Sequence, residues 1–233
     1  MHIMQLTFYI LIGVFGLLAI IHLLLCLFEK EGPRKITKPI TTLLLMAAIM
    51  ILVLTYPEIP YPKHAIWIAG IFCVLGDLFS LKVKSKPLFI TGSIFYAVGH
   101  CLNIFVMVTM LSFTFSWWVY LIAALAAIII AFAFYPLTRL LFGKIAYVIN
   151  LYLSLHLLNL ALAILLLIDG KPLLSIIIII IGYALYFVSD FLLAYAAFGK
   201  DIRRRDFYIM LLFYAGQVLI MLGLANTLLI ISQ

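Results

Sequence analysis

The chain has 233 residues, of which 68% are hydrophobic and only 10% are charged. A soluble domain is typically about 45–50% apolar and about 25% charged, so this composition excludes a soluble protein and indicates a polytopic membrane protein. The net charge of +7 does not indicate a nucleic-acid partner, because the basic residues lie in short segments between apolar runs. The three cysteines lie inside apolar runs and show neither CxxC nor metal-ligand spacing.

Each crossing of the hydrocarbon core needs about 20 apolar residues. Charged residues and prolines divide the chain into eight such runs. The predicted spans are 6–28, 39–56, 64–82, 87–111, 115–136, 144–168, 172–198 and 207–231. The sequence therefore predicts an all-α fold, a transmembrane bundle of eight helices that forms a single integral membrane domain over residues 1–233.

The loops between these spans predict the orientation of the bundle. The odd-numbered loops carry 13 basic residues, including Lys84 and Lys200, whereas the even-numbered loops carry only Lys63 and Lys171. Cytoplasmic loops are enriched in lysine and arginine, so we expect both termini outside and the odd loops in the cytoplasm. Short loops and the lack of a targeting segment favour a bacterial inner membrane.

Two aspartates lie inside the predicted spans, Asp77 in the third and Asp190 in the seventh. A carboxylate at the centre of a membrane helix costs roughly 2.5–3.5 kcal/mol by insertion measurements, so an intramembrane acid indicates a functional site. No lysine or arginine lies within the spans to pair with either of them. The segments around them, GDLFS at 76–80 and SDFLL at 189–193, also suggest a weak four-plus-four parallel repeat.

Other polar residues recur on single helix faces of the later spans. These faces carry Tyr96, His100 and Asn103 in the fourth span, Tyr152, His156 and Asn159 in the sixth, Tyr186, Ser189 and Asp190 in the seventh, and Tyr214 and Gln217 in the eighth. Polar side chains avoid lipid, so we expect these faces to turn towards one another. Their distances from the loops predict one polar cavity in the cytoplasmic half of the bundle. An alternative interpretation is that the histidines and amides only form hydrogen bonds between packed helices.

At these residues the chain resembles the YhhN-type lysoplasmalogenase family of eight-span membrane proteins. The resemblance rests on short motifs in order along nearly the whole chain: Thr-Lys-Pro at 37–39, Gly-Asp-Leu-Phe at 76–79, Phe95 with Gly-His at 99–100, Ser-Asp at 189–190 with Leu192 and Ala194, and Tyr214 with Gly-Gln at 216–217. It implies hydrolysis of the vinyl ether bond of lysoplasmalogens, which releases a fatty aldehyde and a glycerophospho-alcohol. The continuation Cys-Leu-Asn at 101–103 departs from the more aromatic pattern of the family.

Two carboxylates suit this chemistry. A vinyl ether is hydrolysed by protonation of its outer alkene carbon, and water then captures the resulting oxocarbenium ion. We therefore expect Asp77 and Asp190 to be the catalytic acid and base, in an order that the sequence leaves open. The predicted substrate-binding residues are Lys38, Tyr96, His100, Asn103, His156, Ser189, Tyr214 and Gln217. Among these, Lys38 is expected to pair with the phosphate of a lysophospholipid substrate.

Two other functions use the same residues. A proton-coupled transporter of a lipid or small solute also needs intramembrane acids, although no span has the Pro- or Gly-broken centre common in carriers. A metal-dependent hydrolase would use Asp77, His100, His156 and Asp190 as ligands, but no ligand-spacing motif supports it. The favoured prediction is a lysolipid hydrolase with neither a cofactor nor a metal.

Overall fold

The structure is a computed structural model, which describes residues 2–57, 59, 62–82, 85–111, 116–198 and 203–232. The side chains of His2, Lys82 and Lys86 are not described. Lys84, Lys200 and the start of the predicted fifth span at residue 115 lie outside the described residues.

The described residues form helices and no strand, which confirms the all-α fold. The described part of the chain contains nine α-helices: α1 His2–Leu27, α2 Glu31–Thr55, α3 Lys63–Phe79, α4 Lys86–Met110, α5 Trp117–Ala133, α6 Tyr135–Phe142, α7 Ala146–Ile168, α8 Leu173–Phe198 and α9 Arg205–Ile231. Short 3₁₀ turns at Ser80–Lys82 and Gly143–Ile145 extend α3 and connect α6 to α7.

Length and composition support an integral membrane protein. Six described helical segments are long and apolar enough to cross a membrane: α1, α2, α4, the α6–α7 segment, α8 and α9. Helices α3 and α5 have 17 residues each, or about 25 Å at 1.5 Å per residue, which is short of the hydrocarbon thickness of about 30 Å. The crossing of these two helices, and the orientation of the bundle, stay predictions.

Two helical segments differ most from the predicted apolar spans. Helix α2 begins at Glu31 rather than at 39, because Pro33 falls in its first turn and Pro39 is accommodated within the helix. Residues 135–142, predicted partly as a loop, form the short helix α6, whose second residue is Pro136. The first change matters for function, because it places Lys38 on a helix that packs inside the bundle.

Helix α9 lies at the centre of the bundle and contacts α1, α2, α3, α4 and α8. Its closest approach is to α8, where Gly182 and Gly216 face each other. A Cβ atom on Gly216 would lie 2.8 Å from the carbonyl oxygen of Gly182, and one on Gly182 would lie 2.9 Å from the backbone nitrogen of Ile220. These glycines let two backbones touch, a common arrangement in membrane bundles. The four-plus-four repeat stays a prediction.

Candidate active site

Asp77 is completely buried near the end of α3, with three donors from helices α2 and α4 around it. Thr42 donates to Oδ2 at 2.5 Å, and Tyr96 donates to Oδ1 at 2.6 Å. The Lys38 ammonium lies 3.1 Å from Oδ1 and also donates to Ser80 Oγ at 2.7 Å. A buried carboxyl group with a cation and two hydroxyl donors around it has polar partners for both of its oxygens, so the cost of burying it is offset.

The expectation that Asp77 has no basic partner is therefore wrong. Lys38 was assigned to a loop because α2 was predicted to begin at 39, whereas it occupies the third turn of that helix and points inward. Thr42 lies one helical turn further along the same face. The Tyr96 ring reaches Asp77 by packing over Gly76, where a Cβ atom would lie 2.6 Å from the ring. Any larger residue at 76 would displace Tyr96 from the carboxylate.

Asp190, on α8, has a different set of partners from α4 and α7. The Tyr152 hydroxyl donates to its Oδ2 in a short hydrogen bond, and His156 Nε2 lies 3.0 Å from the same oxygen. His100 Nε2 lies 3.4 Å from the Tyr152 hydroxyl, and its ring centroid is 4.1 Å from that of His156. Helices α4 and α7 thus place two imidazoles and a phenol around one carboxylate oxygen on α8.

This cluster is only partly satisfied. Within the described part of the chain, neither Asp190 contact involves Oδ1, and the Nδ1 atoms of His100 and His156 are buried without a hydrogen-bond partner. One ligand atom each from His100, His156 and Asp190 lie within 4.8 Å of one another, close enough to hold a metal ion. Asp77 is not in this group, so the predicted four-ligand metal set is reduced to three residues.

A polar cleft of about 410 Å³ lies at the end of the bundle where α1 and α3 finish and α2 and α9 begin. Its charged lining consists of Arg34, Lys35, Lys38 and Arg205, with Glu31 and Asp206. Arg34 and Arg205 both contact Asp206, at 2.5 and 3.4 Å. Cations remain in excess in the cleft, so it suits a phosphate group.

A second, narrower cavity, here called the crevice, lies between α4, α7 and α8. Its volume is about 30 Å³, which is room for one or two water molecules. Its lining is mostly apolar but includes Asp190, Tyr152 and Tyr96. Leu193 lines both this crevice and the polar cleft. The single polar cavity expected from the sequence is therefore two neighbouring cavities, one charged and one apolar.

Aromatic rings join the two aspartate clusters. Tyr96, bound to Asp77, packs edge-on against Phe213 at 6.1 Å between centroids. Phe213 packs against Tyr186 at 5.3 Å, and Tyr186 against His156 at 5.4 Å. The two carboxylates therefore belong to one packed region, with Tyr96 contacting Asp77 and lining the crevice beside Asp190.

Among the described residues, four predicted substrate-binding residues form no hydrogen bond to the side chain of Asp77 or Asp190. Ser189 donates to the backbone carbonyl of Ile209, and Gln217 donates to Cys73 Sγ at 3.3 Å. Asn103 is buried, and Tyr214 packs against Phe15, His22 and Phe213. None of the four lines either described cavity, so their binding roles stay predictions.

Three residues that hydrogen bond directly to Asp77, Lys38 or Asp190 were not among the predicted site residues: Thr42, Ser80 and Tyr152. The signal for two of them was present, because Thr42 lies four residues after Lys38 and Tyr152 four residues before His156. Residues four apart share a helix face, so Thr42 lies beside Lys38 and Tyr152 lies beside His156, both of which were predicted site residues. Arg34 and Lys35 were interpreted as orientation signals, and Arg205 as an orientation signal first and a lipid-headgroup contact second, although all three line the cleft.

The sequence profile of the YhhN family matches residues 33–224. This range includes both aspartates and every predicted site residue. No curated protein and no solved structure gives a significant match. The match covers most of the chain, and the chain therefore belongs to the YhhN family.

Proposed function

We propose that this member of the YhhN family hydrolyses the vinyl ether bond of lysoplasmalogen-type lysophospholipids, releasing a fatty aldehyde and a glycerophospho-alcohol. The main support is the pair of cavities that share Leu193. One is lined by cations and suits a phosphate, and the other is apolar and contains a carboxylic acid. In a lysoplasmalogen the phosphate and the vinyl ether are separated by the short glycerol backbone, so one molecule can occupy both cavities.

The two aspartates are proposed to have different roles. Asp190 has an uncommitted carboxyl oxygen and lines the crevice, so it is the group that can reach the substrate. Asp77 is fully buried and already accepts from three donors. It acts as a positioning residue, which holds Lys38 at the wall of the polar cleft and Tyr96 at the wall of the crevice.

The reaction then proceeds by general acid catalysis. Asp190 transfers its proton to the outer alkene carbon, and the inner carbon becomes an oxocarbenium ion that the new carboxylate stabilises. Water in the crevice gives its proton to Asp190 as its oxygen bonds to the inner carbon, forming a hemiacetal. The bond between that carbon and the glycerol oxygen then breaks while the hemiacetal hydroxyl proton passes to the glycerol oxygen, which yields the aldehyde and the free alcohol. One water is consumed and Asp190 regains its proton.

The cluster of His100, His156 and Asp190 supports a second candidate mechanism, hydrolysis by a metal-bound water. In that case Asp190 would be an ionised ligand and the bound water would supply the proton. Activity that survives exhaustive chelation, in protein that elemental analysis shows to be free of metal, would rule out this mechanism.

The proposed reaction is tested with purified protein and a panel of lysophospholipids with vinyl ether, alkyl ether or acyl chains. Derivatised fatty aldehyde is quantified by mass spectrometry. Aldehyde from the vinyl ether lipid alone is the expected result. No turnover of any lipid, together with accumulation of a lipid or solute in proteoliposomes, would overturn the proposal and favour a transporter.

A further inference from the structure

The narrow crevice beside Asp190 runs from the interior of the bundle to its outer surface. At its inner end lie Asp190, which is buried, and Tyr152, which is partly buried. At its outer end lie Ile90 on α4 and Val148 on α7, whose exposed fractions are 37% and 47%. In a membrane-embedded bundle, exposed apolar side chains of this kind face lipid. The crevice therefore connects the lipid phase with a buried carboxyl group.

We propose that this crevice between α4 and α7 is a lateral entrance through which the hydrocarbon chain of a single-chain lipid reaches Asp190 from the membrane. The proposal rests on the proposed function for the identity of the lipid, but chain binding is measurable without turnover. It assigns a binding role to Ile90, Ser93 and Val148, which the sequence did not single out.

The occupant follows from the chemistry at the two ends of the crevice. The outer end is apolar and opens to lipid, which selects a hydrocarbon chain. The inner end adjoins, at Leu193, the cationic cleft, which selects a phosphate-bearing headgroup. An amphiphile that lies across Leu193 satisfies both ends, with its reactive bond beside Asp190.

The width of the crevice limits the number of chains. The crevice is small, with a volume of about 30 Å³, so we expect it to admit one chain and not a second chain alongside the first. Only the first carbons of the chain need to enter, because the vinyl ether is at the polar end of the chain. The remainder can lie along the outer surface beyond Ile90 and Val148. A one-chain entrance selects lysolipids over two-chain phospholipids.

Chain binding is tested by photocrosslinking in nanodiscs. The probe is a lysophospholipid with a photoactivatable diazirine near the polar end of its chain, and adducts are mapped by peptide mass spectrometry. We expect adducts on the crevice segments 89–93 and 145–153, which a non-photoactive lysolipid reduces at least fivefold and a two-chain phospholipid does not. Labelling spread over the exposed faces of the bundle, without competition, would overturn the proposal.

Matched variants separate the entrance from the surface around it. Val148→Trp narrows the outer end of the crevice, while Leu151→Trp places the same bulk on an exposed position of the same helix. Ile90→Trp and Ile94→Trp form an equivalent pair on α4. The two crevice variants should lose crevice adducts and raise the KM for long-chain substrate at least tenfold, and the two surface variants should do neither.

These results separate the two proposals. Competed crevice adducts without any aldehyde release would support the entrance and overturn the hydrolase function. Aldehyde release without crevice adducts, and with equal KM values in each variant pair, would overturn the entrance and leave the hydrolase function in place.

Discussion

Asp77 and Asp190 are both carboxylates in apolar helices, but their surroundings differ. Asp77 has a lysine and two hydroxyl donors shared between its two oxygens, and it lines neither described cavity. Asp190 has a phenol and an imidazole on one oxygen, and it lines a crevice. The cost of burying a charge is therefore offset in two different ways. Full pairing makes a structural anchor, and partial pairing leaves a group that can react.

The largest effect is expected from Asp190→Asn. The amide keeps the shape of the side chain and can still hydrogen bond to Tyr152 and His156, but it cannot deliver a proton. We expect turnover of the vinyl ether substrate to fall by roughly 10²–10⁴-fold, the usual contribution of a general acid, with unfolding little changed. Initial rates of aldehyde release and denaturant unfolding in mixed micelles provide the two readings. The variant Glu29→Gln, at an exposed acid, is the control. Turnover within threefold of the parent protein would remove Asp190 from the mechanism.

Asp77→Asn should instead lower the free energy of unfolding more than it lowers turnover. It leaves the Lys38 ammonium, which is mostly buried at the wall of the cleft, without its counter-charge. Breaking a fully buried ion pair costs about 3–5 kcal/mol of stability, and we expect a loss towards the lower end of that range. Removing both charges with Lys38→Met and Asp77→Asn should restore most of that free energy of unfolding. The measurement is denaturant unfolding of the parent, both single variants and the double variant. If the double variant lost as much free energy of unfolding as the two single variants together, Lys38 and Asp77 would not form a structural anchor.

The hydroxyl donors extend the comparison. Tyr152→Phe removes a hydrogen bond that stabilises the carboxylate formed when Asp190 gives up its proton. A hydrogen bond to a charged group is worth about 1.5–3 kcal/mol, so turnover should fall about tenfold or more. Tyr96→Phe removes the equivalent bond at Asp77 and should lower stability more than turnover. Tyr147→Phe, at an exposed position of α7, is the control for both. Equal effects of Tyr152→Phe and Tyr96→Phe on turnover would mean that the two carboxylates are not distinguished as proposed.

Much of this arrangement could be predicted from composition and spacing. The apolar runs identified the helices, and the cost of a buried charge identified Asp77 and Asp190. The partners were harder to predict, because they depend on contacts between helices that are distant in sequence. Lys38 was missed as a partner because a helix can continue past the apolar segment into charged residues. Helix α6 was missed because Pro136, interpreted as an end, is the second residue of a new helix.

The smallest effect is expected in the polar cleft, where charges are partly exposed. Arg34→Gln removes a cation and leaves Asp206 with Arg205 as its described ion-pair partner, so a phosphate meets less attraction and more repulsion. Exposed ion pairs contribute about 0–1 kcal/mol to stability, so unfolding should hardly change. The KM should rise several-fold at low salt, and kcat should stay constant because the cleft does not contact the reacting bond. Arg139→Gln, outside the cleft, should change neither. A fall in kcat with constant KM would place Arg34 in the chemical step, and the division between a binding cleft and a reactive crevice would then be wrong.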